Sequence, residues 1–157
     1  MTTFFRYLQF LALALWVGAI VYLSFVVAPA LFATVTSADQ AGAVIGIVLG
    51  RLHWMGVWAG VVYLAAALAR WRSVAALARP GALAVLLMVM LTLISQRGVF
   101  PRIAALGAQM GSIERTPASS PLRRQFNHLH QVSVEIETAV LLLGLAALFF
   151  TVRDPQR

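Results

Sequence analysis

Four apolar stretches, each longer than a bilayer needs, dominate this chain. They run over about residues 4–32, 41–69, 82–106 and 126–152, the third as an apolar core to Ile94 that polar-flanked helix continues to Leu106. A spanning helix needs about 20 apolar residues, so the 157 residues hold four spans and short connections as one four-span domain, residues 1–157. There is no room left for a sizeable soluble core. Period-two alternation is absent, which excludes a membrane β-barrel. The expected fold is all-α, an antiparallel four-helix membrane bundle. Its connections are 33–40, 70–81 and about 107–125, the last marked as loop by Gly111, Pro117, Ser119, Ser120 and Pro121. There is no internal repeat.

Composition agrees with this class and removes others. Hydrophobic residues make up 61% and charged residues 11%, against about 25% charged in soluble domains. Soluble globular, disordered and nucleic-acid-binding classes are excluded, despite a pI near 11.5. All twelve basic residues are arginine, and cysteine is absent. That removes disulfides, thiolate zinc sites and iron–sulfur ligation. Arg6 followed by an apolar run, with Ala28-Pro29-Ala30 beyond it, superficially resembles a signal peptide. The run is about twice the length of a signal h-region, so a retained first span is expected.

Arginine placement bears on orientation. One side of the bundle carries Arg6, Arg70, Arg72, Arg79, Arg153 and Arg157; the other carries Arg51, Arg97, Arg102, Arg115, Arg123 and Arg124. Six against six is a tie, but the first loop holds no arginine, and Arg51 and Arg97 fall within helices. Both termini are therefore expected in the cytoplasm, in a bacterial inner membrane.

Counting about 1.5 Å per residue from the helix ends at Arg6, Arg70, Pro80 and Arg153 brings polar residues of all four helices to one level. Ser24, Arg51, His53, Gln96, Arg97, Glu135 and Glu137 all fall about 23–29 Å up, near the far rim of the bilayer. Ionisable groups at membrane depth are costly and usually pair or line a cavity. Three readings stay open: headgroup-level charges that snorkel to water, a structural ion-pair layer, and a functional site. Helical phase puts Gly42, Gly46, Gly50, Gly56 and Gly60 within about 120° of arc, a small-residue stripe suited to close helix approach or to a dimer. His53 falls inside that face, and Arg51 points away from it. Thr92, Ser95 and Gln96 line one face of the third helix. His128, Gln131 and Glu135 share one face of the fourth, and His130, Ser133 and Glu137 another.

No nucleophile constellation, phosphate loop or metal motif is visible, so no catalytic residue is assigned and a non-enzymatic role is expected. No cofactor is expected either. The alternative is a haem- or copper-binding protein using His53, His130 or His128, since histidines on facing helices can ligate haem. By the depth count, however, His53 lies about 9 Å below His130. The five methionines form no compact copper cluster.

The segments Leu15-Trp16-Val17-Gly18, Ala28-Pro29-Ala30-Leu31-Phe32, Phe100-Pro101-Arg102-Ile103 and Phe126-Asn127-His128-Leu129-His130-Gln131-Val132-Ser133 resemble the transmembrane-protein-205-like family (domain of unknown function 4149). The chain is also distantly similar to copper-resistance D membrane domains. The resemblance singles out Pro29, Pro101, Arg102, His130 and Ser133, and implies a four-helix membrane protein without an agreed activity. The family often has Asn seven residues after the last-helix His; here that position is Glu137, an acid that makes the place titratable. The expected role is therefore accessory to another membrane complex, or the handling of a small solute or ion. The expected partners are the bilayer, a membrane protein or a second copy of the chain, and not nucleic acid.

Overall fold

A computed structural model describes residues 2–154. Four helices account for nearly all of it: α1 Thr3–Thr34, α2 Ala38–Trp71, α3 Pro80–Met110 and α4 Pro121–Arg153. All four are long and apolar enough to cross a membrane, and there is no strand among the described residues. Each helix runs past its apolar stretch at one or both ends, because hydropathy marks the lipid-facing length and not the backbone signals that stop a helix. Ser37 caps α2 by accepting from the Gln40 N–H at 3.4 Å, and Arg72, in left-handed conformation at φ 47°, closes it. Prolines start α3 and α4, where their missing N–H costs nothing. Gly111 at φ +69° ends α3. The third connection is consequently shorter than expected, residues 111–120 instead of 107–125, because Leu122–Gln125 are sound helix formers behind Pro121.

The short connections force neighbours to run antiparallel. α1 packs on α2 and α4, and α3 packs on α2 and α4, so α1 and α3 occupy one diagonal and α2 and α4 the other. The end where α1 and α3 start is called basal here, and the opposite end distal. The core holds Leu13, Trp16, Ile20, Val85, Met88, Val140 and Ala147. The outside is apolar as well: Phe25 is 69% exposed and Trp58 67%, a surface suited to lipid rather than water.

Small residues let the helices close up. At Gly56 and Gly60 an added Cβ would collide with the Trp16 indole of α1 and with Val89 of α3, and at Gly144 with Val17. The glycine stripe of α2 therefore divides. Gly56 and Gly60 receive α1 and α3, Gly46 and Gly50 stand in ordinary contact with Phe100, and Gly42 has open space.

Two helices are locally widened. α1 is π-helical over Leu23–Val27 and α3 over Ser95–Val99. In each case a proline follows two residues later, Pro29 and Pro101. A helical proline has no N–H to donate and its ring crowds the carbonyl four residues back; an i→i+5 turn makes room for it. At the distal end the third connection is tied down by Asp39. Its carboxylate accepts from the Ser112 hydroxyl at 2.6 Å and from the Ile113 and Glu114 N–H groups at 2.9 and 3.1 Å, and Arg123 donates to the Ile113 carbonyl.

Candidate functional site: a histidine buried between three helices

His53 points into the bundle from α2 and is 1% exposed. Its Nδ1 lies 2.8 Å from Gln96 Oε1 on α3, and its Nε2 lies 3.2 Å from Glu137 Oε2 on α4. The second contact crosses the α2–α4 diagonal, so the ring sits on the axis of the bundle. Gln96 belongs to the π-helical turn of α3, the turn made necessary by Pro101. Leu23, in the matching turn of α1, is buried and belongs to the hydrophobic core cluster.

Hydrogen-bond accounting fixes the charge of this triad. Gln96 Oε1 can only accept, so Nδ1 carries a hydrogen and donates it. A neutral imidazole then presents a lone pair at Nε2. The gap between Nε2 and Glu137 Oε2 therefore takes one proton, whether it resides on nitrogen or oxygen. Either way the pair is neutral overall, which is what makes it tolerable inside a membrane protein. Removing that proton leaves one negative charge, which a proton or a small cation would neutralise. Glu137 is the accessible member, with its side chain 18% exposed against 2% for His53.

The remaining polar residues of this level face elsewhere. Arg51, Arg97 and Glu135 are exposed, and among the described residues no ion pair joins either arginine to Glu135 or Glu137. An ion-pair layer built on the arginines is thus replaced by one His–Glu contact. The reason is helical phase: Arg51 stands two residues from His53 and Glu135 two from Glu137, about 200° around their helices, and Arg97 is turned about 100° from Gln96. Glu135 instead accepts from Gln131 one turn back, at 3.1 Å. Ser24 is exposed within the α1 π-turn, as are Pro29, Pro101 and Arg102 beside the two π-turns, and Ser133 is half-buried.

His128 and His130 are exposed on α4, and His130 stacks on Phe126 with ring centroids 6.3 Å apart. His130 stands seven residues, about 10 Å, beyond Glu137, and both nitrogens of His53 are already engaged. No group of three or more His, Cys, Asp or Glu able to hold a metal occurs among the described residues.

A second polar cluster closes the basal end, where the sequence marks the helix ends at Arg6, Arg70, Pro80 and Arg153. Asp154 accepts from Arg70 Nη1 at 3.0 Å and from Arg79 Nη1 at 2.8 Å. The Arg79 guanidinium stacks 3.5 Å over the Trp71 ring. Tyr63 donates to Thr151 Oγ1 at 2.7 Å, while Thr151 donates to the Ala147 carbonyl. Arg6 Nη2 caps α4 through the Val152 carbonyl at 2.9 Å. In the sequence this cluster is marked by Asp154, the one acid on a side holding six arginines.

These features define a four-span integral membrane protein with a polar triad closed between its helices. The chain belongs to the family of the domain of unknown function DUF4149, whose sequence profile matches residues 11–112. That stretch holds most of α1 and all of α2 and α3, with His53, Gln96 and both prolines; α4, with Glu137 and the Phe126–Ser133 motif, lies beyond it. No curated protein and no solved structure matches the chain.

Proposed function

We propose that this chain is a non-enzymatic protein of a bacterial inner membrane that handles a small ion or solute, with Glu137 and His53 as the exchanging pair. The observation that supports it is the single His53–Glu137 contact across the bundle diagonal. Intramembrane ionisable groups mark ion pathways and proton relays, and this pair is neutral only while one proton or cation occupies it. Kinship with the transmembrane-protein-205-like family, carried by the short motifs above, belongs to this reading and adds no activity to it.

The test is flux in proteoliposomes under an imposed proton or cation gradient. Glu137→Gln keeps a hydrogen-bonding group beside Nε2 and removes the titratable one, so flux is expected to fall to the level of empty vesicles while the melting temperature stays near wild type. Unchanged flux in Glu137→Gln would sink the proposal. If the wild-type chain carries no flux and a stoichiometric membrane partner co-purifies in mild detergent, the accessory role replaces it.

Orientation with both termini in the cytoplasm is part of the same proposal. Because the chain contains no cysteine, single substitutions report sidedness cleanly. Ser73→Cys, in the basal loop, is expected to react with an impermeant maleimide only in inside-out vesicles, and Ser119→Cys only in right-side-out ones. The reverse pattern would invert the orientation.

A further inference from the structure

The basal end holds a cavity of about 190 Å³ between the helix ends, lined by Gln9, Tyr63, Trp71, Arg79, Arg153 and Asp154 among others. That is several times the ~30 Å³ share of one water. Its floor is the Tyr63–Thr151 hydroxyl pair, brought close to α3 because Gly81 has no Cβ; one placed there would lie 2.7 Å from the Tyr63 oxygen. Its walls are largely apolar, from Ala67, Ala82, Pro80, Trp71 and Phe150.

Charge decides what this space suits. Asp154 is the one acid at this end among the described residues, and it is shared by Arg70 and Arg79. With Arg153 also lining the cavity, an excess of two positive charges remains. Among the described residues the Arg79 side chain makes one hydrogen bond, to Asp154, which leaves most of its five N–H groups to donate. Among the described residues the Arg153 side chain makes no hydrogen bond or ion pair, and its guanidinium lies 4.5 Å over the Phe149 ring. Gln9 is 3% exposed and accepts from Arg70 through its oxygen, which leaves its amide NH₂ as a further donor.

We propose that this cavity binds a phosphate-bearing anion, the headgroup of an anionic phospholipid, with Arg79 and Arg153 on the phosphate oxygens. Guanidinium groups match phosphate geometry, and basic pockets between membrane helices take anionic headgroups. The apolar wall beside the donors favours an amphiphile over a free ion. The site stands about 25 Å from Glu137 along α4, 17 residues at 1.5 Å each, and does not depend on the ion-handling reading.

The experiment is thermal unfolding of the full chain in mild detergent, titrated separately with phosphatidylglycerol, phosphatidylcholine and inorganic phosphate. Phosphatidylglycerol is expected to raise the melting temperature where phosphatidylcholine does not, and native mass spectrometry is expected to show one retained lipid. Arg79→Gln and Arg153→Gln are each expected to weaken the lipid's apparent affinity about tenfold, the loss of one charge-assisted hydrogen bond. Arg153→Gln leaves both Asp154 contacts in place, so it remains informative even if Arg79→Gln impairs folding. Arg115→Gln, which removes an exposed arginine at the distal end, is the charge-matched control and is expected to change nothing. Stabilisation by inorganic phosphate with no further gain from lipid would assign the same donors to a free anion. Equal effects of the two lipids without a phosphate effect, or an Arg115→Gln loss as large as that of Arg153→Gln, would overturn the proposal.

Discussion

Trp16→Ala is expected to destabilise the bundle by about 3–5 kcal/mol, the range for truncating a fully buried large aromatic. Trp16 is 1% exposed, and its indole lies against α2 where Gly56 and Gly60 have no side chains. Little in that contact can relax, because backbone forms the opposing wall. The converse change, Gly56→Ala, drives a methyl into the indole nitrogen and is expected to cost about 1–3 kcal/mol. The two effects should not add. In a Trp16→Ala background the Gly56→Ala methyl enters the space the indole vacated, and its cost should vanish or change sign. Unfolding of the four variants in detergent measures this cycle. Additive losses would show that Trp16 and Gly56 do not hold α1 to α2.

Glu137→Leu is expected to cost about 3 kcal/mol, because it removes the partner of the Nε2 lone pair of His53, which is 1% exposed. Glu137→Gln should stay close to wild type, since its amide can donate to the same lone pair. Replacing both members, as His53→Leu/Glu137→Leu, should recover part of the Glu137→Leu loss by removing the orphan. The same unfolding assay reads all three. A Glu137→Leu variant as stable as wild type would mean that the diagonal contact contributes nothing to the bundle and that Glu137 faces only outward. Together with the flux measurement, the series separates a group that holds the fold from one that holds a charge.

Some of this architecture is legible in the residues alone. The four spans follow from hydropathy and length, since a bilayer imposes both. The apolar exterior follows from the same constraint. The helix ends do not, because they are set by Ser37, Arg72, Gly111 and the prolines, whose effects are local and independent of hydropathy. The level of His53, Gln96 and Glu137 can be counted from the arginine ends, because a helix advances by a constant rise. That count treats Arg51, Arg97 and Glu135 alike, although these face outward. The π-helical turns leave no trace in the hydropathy pattern, and Pro29 and Pro101 are what mark their positions.

Chain length and side-chain polarity depend on no partner, and they alone specify a membrane bundle of four long helices with ionisable residues at one depth. Which of those residues meet is a matter of how the helices pack. The square packing puts α2 and α4 on a diagonal, so His53 reaches Glu137 through the centre of the bundle. The same packing gathers Arg70, Arg79 and Asp154 at the basal end. Contacts between helices depend on their relative rotation and order around the axis, and a one-dimensional pattern carries neither.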